Sequence, residues 1–193
     1  ASFMKFVQLV FLQSGGIFEA SKFAAPCEVS RTTITNYLAA LEATNVALPV
    51  RPFSSRLSNE IISAPKVYGF DTGFLCYFKE WLTLREEDKG VLWEHLVLNE
   101  LLSDLQSKTI NYWRDKAGHE IDFVLKKRGQ PPIAVECKWK SAGFEPVNLN
   151  SFRRKYPEGE NWVVSSDVSK PYERKIKGLI IRYFNLEHLI SAL

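Results

Sequence analysis

Three residues near the middle of the chain combine types and spacing that could hold a hard divalent cation beside an ammonium. Asp122 lies in the run His119 to Lys126. Glu136 and Lys138 lie in Ile133-Ala134-Val135-Glu136-Cys137-Lys138-Trp139, after a turn spanning Arg128 to Pro132. Side chains alternate faces along a strand, so Glu136 and Lys138, two apart, share one face. In the preceding strand Ile121, Phe123 and Leu125 are expected on one face and Glu120, Asp122 and Val124 on the other. With the turn centred near Gln130, Asp122 lies opposite Lys138 and diagonal to Glu136, within the ~5–8 Å that cross-strand neighbours span. Two carboxylates this close repel, and one keeps a proton unless a cation sits between them. Mg²⁺ uses one or two carboxylates together with substrate phosphate oxygens, and Lys138 could orient water or offset charge developing on a phosphate.

A helix must stand next to this strand pair. Val91 to Leu105 has Val91, Val97, Leu98, Leu101, Leu102 and Leu105 on one side, with Glu94 near the centre of that apolar arc. A carboxylate there loses hydration unless something compensates it. Placed over the strands, Glu94 would complete a metal shell; otherwise it serves only the first helical turn, where the helix dipole favours acids. An alternating charged strand is also what a solvated sheet face looks like, but a misplaced acid ahead of Asp and Glu-x-Lys points to a site.

The first half reads differently. Phe3–Leu12, Glu19–Ala25 and a helix capped by Ser30 suggest a helix-turn-helix. The segments 46–53 and 66–70 add a hairpin, with Pro49 and Pro52 confining the first of them to a sheet edge. Helix-turn-helix plus hairpin is a winged helix. Over residues 30–43 Arg31 is the single basic residue and Glu42 is acidic. Phosphate contacts normally dominate DNA affinity, so this favours a structural or protein-docking role over a DNA reader. Arg51, Arg56 and Lys66 on the wing keep DNA contact open. Residues 73–84 read as a helix packed between the halves, and Arg85 to Gly90 as the polar boundary, giving domains 1–84 and 85–193.

Beyond the candidate site, 149–156 form a helix with Leu149, Phe152 and Tyr156 inward and Arg153, Arg154 and Lys155 outward, a basic run that could meet nucleic-acid phosphates or simply face water. Strands at 161–165 and 178–184 and a closing helix at 186–193 complete a mixed sheet flanked by helices, an α+β (α/β) fold class. The net charge of +3 is too small to prove a nucleic-acid partner. An apolar fraction of 46% supplies a core, and the apolar runs are too short to span a membrane. Cys27, Cys76 and Cys137 form no C-x-x-C pair, and His95, His119 and His188 lack zinc-ligand spacing, so reduced thiols, no zinc and a cytoplasmic location are expected. His119 is near enough to the site to take part in proton transfer, or is an exposed turn residue.

Glu94, Asp122, Glu136 and Lys138 together resemble the PD-(D/E)XK nuclease-like superfamily. Pro65-Lys66-Val67-Tyr68-Gly69-Phe70-Asp71-Thr72-Gly73 and Tyr112-Trp113-Arg114 with Asp122-Phe123 resemble the C-terminal domain of unknown function carried by many bacterial and archaeal AAA+ ATPases. The resemblance covers nearly the whole chain, a winged helix followed by the nuclease-like fold. It implies metal ligands Glu94, Asp122 and Glu136, with Asp122, Glu136 and Lys138 as catalytic residues and Mg²⁺ or Mn²⁺ as cofactor. It further implies an ATPase domain before Ala1 that would bring the only ATP. No P-loop motif occurs here. The superfamily also contains members that kept only the fold, so a non-enzymatic regulatory or binding module of the ATPase is the competing expectation. DNA contact and oligomerisation stay open.

Overall fold

The computed structural model describes residues 1–54, 64–105 and 109–193. Arg56, expected on the wing, lies outside them.

Helices α1 (Ser2–Leu12), α2 (Ala20–Cys27) and α3 (Arg31–Ala43) surround an N-terminal core built on Phe6, Phe23, Ile34 and Leu38. The expected cap of α3 forms, with Ser30 Oγ accepting the Thr33 N–H at 3.1 Å. Strands β1 (Gly16–Ile17), β2 (Ala47–Pro52) and β3 (Lys66–Gly69) pair antiparallel in the order β1-β3-β2. Within β3, Val67 joins the N-terminal core, while Tyr68, on the other face, belongs to the core of the C-terminal half.

The prolines do not leave β2 at an edge. Its last two residues pair in parallel with β4 (Ile110–Arg114) through Arg51↔Asn111 and Pro52↔Tyr112. Pro49 is tolerated because that ladder starts beyond it. A single nine-stranded mixed sheet therefore runs through both halves, in the order β1-β3-β2-β4-β5-β6-β7-β9-β8. Its further strands are β5 (Glu120–Leu125), β6 (Ile133–Lys138), β7 (Asn161–Ser165), β8 (Tyr172–Ile176) and β9 (Leu179–Phe184).

Helix α4 spans Thr72–Phe78, with Asp71 as its cap, and so stops six residues short of the expected end. Helix α5 spans Glu86–Asp104. The polar stretch expected as a boundary is thus mostly its first turns: Glu86, Glu87 and Asp88 suit the positive end of the helix dipole, and the Asp88 side chain accepts the Arg85 N–H at 2.9 Å. Helix α6 spans Val147–Lys155 and α7 Leu186–Ala192.

The sheet is covered on both faces. Trp93, Val97, Leu98 and Leu101 of α5 pack with Phe123, Val135 and Cys137. Leu149 and Phe152 of α6 pack on the other face with Ile121, Val124, Ala134 and Val163. Ile121 therefore does not share a face with Phe123, contrary to simple alternation. The β4–β5 register shifts between Asn111 and Trp113, and this irregularity turns Ile121 over. Asp122 sits at the reversal. No helix among the described residues is long and apolar enough to cross a membrane.

Candidate acid–lysine site

The register of the strand pair differs from expectation. Phe123 pairs with Val135, Val124 with Ala134 and Leu125 with Ile133, so the turn is centred on Gly129 rather than Gln130. Moving the centre by one residue moves the pairing by two. Faces are preserved, and Asp122 comes level with Glu136 instead of Lys138. The ladder ends at Phe123↔Val135, where the strands part. In the gap the Asp122 carboxylate accepts the Cys137 N–H at 2.7 Å, a donor the ladder leaves free.

Lys138 binds both acids. Its Nζ donates to Glu136 Oε2 at 2.9 Å and lies 3.9 Å from Asp122 Oδ2. Burial pulls its affinity for a proton down, but Asp122 and Glu136 outweigh burial and hold the ammonium well above the ordinary lysine value. Glu136 is only 2% exposed, and its Oε1 is buried without a hydrogen-bond partner. Burial first, and then the charge of Asp122, raises its carboxyl to about 8.

Glu94 is near Asp122 but has other direct partners. Cys137 and Val135 face α5, so Glu136 and Lys138 are turned toward the opposite face of the sheet, while Glu94 reaches in from α5 itself. Tyr68 Oη donates to Glu94 Oε1 at 2.6 Å, and Lys66 Nζ lies 3.6 Å from the same oxygen. Burial and then Asp122 raise Glu94 to about 7, against the pull of Lys66 and Tyr68. The other three expected residues thus gather around Asp122 but not as one shell: Lys138–Glu136 on one side, Glu94 on the other.

Lys66 and Tyr68 belong to the site's surroundings and were not assigned to it from sequence. Lys66 is 5% exposed and ion-paired to both Glu94 and Glu120. It is therefore not a wing cation available to DNA. An alternating Lys-x-Tyr in β3 was the available signal, but its partners lie 28 and 54 positions away. His119 pairs with Asp115, Nδ1 to Oδ2 at 2.8 Å, rather than with Glu94, Asp122 or Glu136.

The basic run on α6 divides. Arg154 and Lys155 are exposed, but Arg153 is buried and points inward. Its guanidinium donates to Asn161 Oδ1 at 2.6 Å and to the carbonyls of Tyr156, Pro132, Glu158 and Glu160. Those donors hold the 156–160 loop and are spent, so Arg153 cannot contact a nucleic acid as expected. Arg31 is exposed at the start of α3 beside Thr32, Thr35 and Asn36.

Among the described residues no group of three or more His, Cys, Asp or Glu side chains is placed to hold a metal ion. An ion here would rest on two carboxylates, which is what Mg²⁺ commonly takes from a protein. The unsatisfied Oε1 of Glu136 fits such an ion, because a buried carboxylate oxygen without a partner is costly.

Residues 1–87 match the model of a domain of unknown function (DUF8612), and residues 89–184 match that of another (DUF4143). Uncharacterised proteins of Mycobacterium bovis and Mycobacterium tuberculosis are each 30% identical over 121 residues, which is 61% of this chain. The match spans 27% of each of those relatives. Among solved structures, a chain from an assembly of Thermococcus gammatolerans McrB AAA+ hexamers with bound McrC is similar over 93% of this chain and 46% of that one. Its TM-score is 0.38 and its identity 14%, so it carries no argument about fold or function.

Proposed function

We propose that this chain is a module of an AAA+ ATPase-associated protein and that Asp122, Glu136 and Lys138 form a metal-dependent site for nucleic-acid phosphodiester hydrolysis. The model matched by residues 89–184 is found in AAA+ ATPase-associated proteins, which supports the context. The observation that carries the chemistry is the buried Glu136 carboxylate with one unpartnered oxygen, level with Asp122 and bridged to it by Lys138.

In this reading Asp122 and Glu136 hold Mg²⁺ or Mn²⁺. When bound, the ion supplies Lewis-acid polarisation of a phosphoryl oxygen. Asp122 is oriented by the Cys137 N–H, which donates to the same oxygen that faces Lys138. Lys138 stays protonated between its two acids, so it acts as a donor to water or phosphate oxygens and not as a base. Glu94 acts on the site through its charge beside Asp122. The winged-helix reading of residues 1–84 is supported by the three helices and the β2–β3 pair, and the exposed face of Arg31, Thr32, Thr35 and Asn36 is its candidate nucleic-acid surface.

The test is incubation of the full-length protein with plasmid and single-stranded DNA in Mg²⁺ or Mn²⁺. Cleavage that disappears in both Asp122→Ala and Lys138→Ala supports the reading; an unchanged rate in either defeats it. The second reading is a non-enzymatic regulatory module of the ATPase, favoured by the near-complete burial of Glu136. It expects no cleavage, and an altered ATPase rate or assembly when residues 1–193 are deleted.

A further inference from the structure

Glu94, Glu120, Asp122 and Glu136 bring four carboxylates around one end of the β5–β6 pair, and two buried or half-buried lysines answer them from different sides. Lys138 comes from β6. Lys66 comes from β3, in the N-terminal half of the chain, and its ammonium is ion-paired to Glu120 and to Glu94. Its side chain is 6% exposed, and the ammonium also lies 5.7 Å from the centre of the Tyr112 ring. Glu120 spends its second oxygen on Arg114 at 3.3 Å, and Glu94 takes the Tyr68 hydroxyl as well. The acids on this side are therefore supplied with cations and donors by the protein. On the Lys138 side Glu136 Oε1, buried and partnerless, is not.

We infer that Lys66 is a built-in counter-ion occupying the Glu94–Glu120 half of the acid cluster, so that a divalent cation is confined to the Asp122–Glu136 half. This deepens, and rests on, the metal-site reading above. A lysine ammonium is a compact point charge, so it can stand between two carboxylates where a second cation would otherwise be drawn. The β3 strand delivers it because alternation sends Lys66 and Tyr68 to the same side and Val67 to the N-terminal core. The N-terminal half thereby determines how many cations the C-terminal half can accept.

The experiment is calorimetric titration of Mn²⁺ into the whole chain, comparing wild type, Lys66→Met, Lys66→Arg and Asp122→Asn at constant ionic strength. Wild type is expected to bind one Mn²⁺. Lys66→Met is expected to bind a second, or to bind the first about tenfold more tightly or better, the latter being about 1.4 kcal/mol. Lys66→Arg, which keeps the charge, should behave as wild type. If Lys66→Met matches wild type in both number and affinity, the inference is overturned. Should Lys66→Met be unfolded without metal, thermal unfolding decides: Mn²⁺ restoring the fold supports the inference, and failure to restore it overturns it. The metal-site reading fails separately, if wild type takes up no Mn²⁺ or Asp122→Asn takes it up equally well.

Discussion

The Asp122 carboxylate accepts the backbone N–H of Cys137 at 2.7 Å, the residue between Glu136 and Lys138. One side chain thus closes the ladder where β5 and β6 part and fixes the position of Glu-x-Lys relative to itself. Asp122→Asn keeps an acceptor for that N–H and removes the charge that favours the Lys138 ammonium. Asp122→Ala removes both. The expected outcome is a stability loss of about 1–3 kcal/mol for Asp122→Ala, from the stranded N–H, and a smaller loss for Asp122→Asn. Chemical denaturation of the two variants checks it; equal losses would show that the hydrogen bond contributes nothing.

Arg153 is the residue for which burial reverses the expected role. Its guanidinium donates to Asn161 and to four backbone carbonyls around the 156–160 loop. Arg153→Ala leaves those acceptors without their shared donor, and Arg153→Lys cannot restore the planar fork. A loss of about 3 kcal/mol is expected for Arg153→Ala and most of it for Arg153→Lys, while Arg154→Ala should be near neutral. Urea midpoints of the three variants decide this.

His95 is buried, with its ring nitrogens 2.7 Å from Ser14 Oγ and 2.8 Å from the Val91 carbonyl. Burial depresses it from the usual 6.5 to about 4. The unfolded chain therefore takes up the proton first as pH falls. The neutral ring's contribution is present above about pH 6.5 and is lost as pH drops toward 4, amounting to about 3 kcal/mol in total. Glu94 and Glu136, raised to about 7 and about 8, work the other way: stability falls as pH rises through the window from 4.5 to those values. The difference between wild type and His95→Gln isolates the histidine. It should shrink by about 3 kcal/mol in unfolding free energy between pH 6.5 and 4. A difference independent of pH would refute the assignment.

Gly69 ends β3 against α1. A Cβ built there would lie 2.4 Å from Phe11 Cε1, and its N–H donates to Ser14 Oγ at 2.7 Å. Phe11 is packed against Phe78 at 5.0 Å between ring centres and has little room to move. Gly69→Ala should therefore cost about 1–3 kcal/mol by overpacking. Gly118→Ala is the contrast, with no atom within 4 Å of its Cβ but a φ of +90°. Its loss comes from backbone conformation alone, and adding Phe11→Leu should relieve Gly69→Ala but not Gly118→Ala, as thermal unfolding of the paired variants would show.

Much of the helical framework was readable locally. Ser30 before a 3.6-periodic run marks α3, and the apolar stripe of 91–101 marks the buried face of α5. Strand β8 was not readable, because Tyr172-Glu173-Arg174-Lys175-Ile176 pairs, among the described residues, only with β9 and its three central residues are exposed, so alternation leaves no signal. Nor was the reversal at Ile121, since a shift of register with β4 leaves no local pattern.

By itself the sequence determined the face shared by Glu136 and Lys138, because a strand's period of two is a property of the backbone. It also determined that Asp122 comes near them, since a turn shifted by one residue preserves parity. Only the tertiary structure decided that Asp122 lies level with Glu136 instead of Lys138. It alone decided that Glu94 is met by Lys66 and Tyr68 from the N-terminal half, and that Arg153 turns inward to hold a loop. These depend on contacts between distant segments, where burial and unmet hydrogen bonds select the partner and local periodicity is silent.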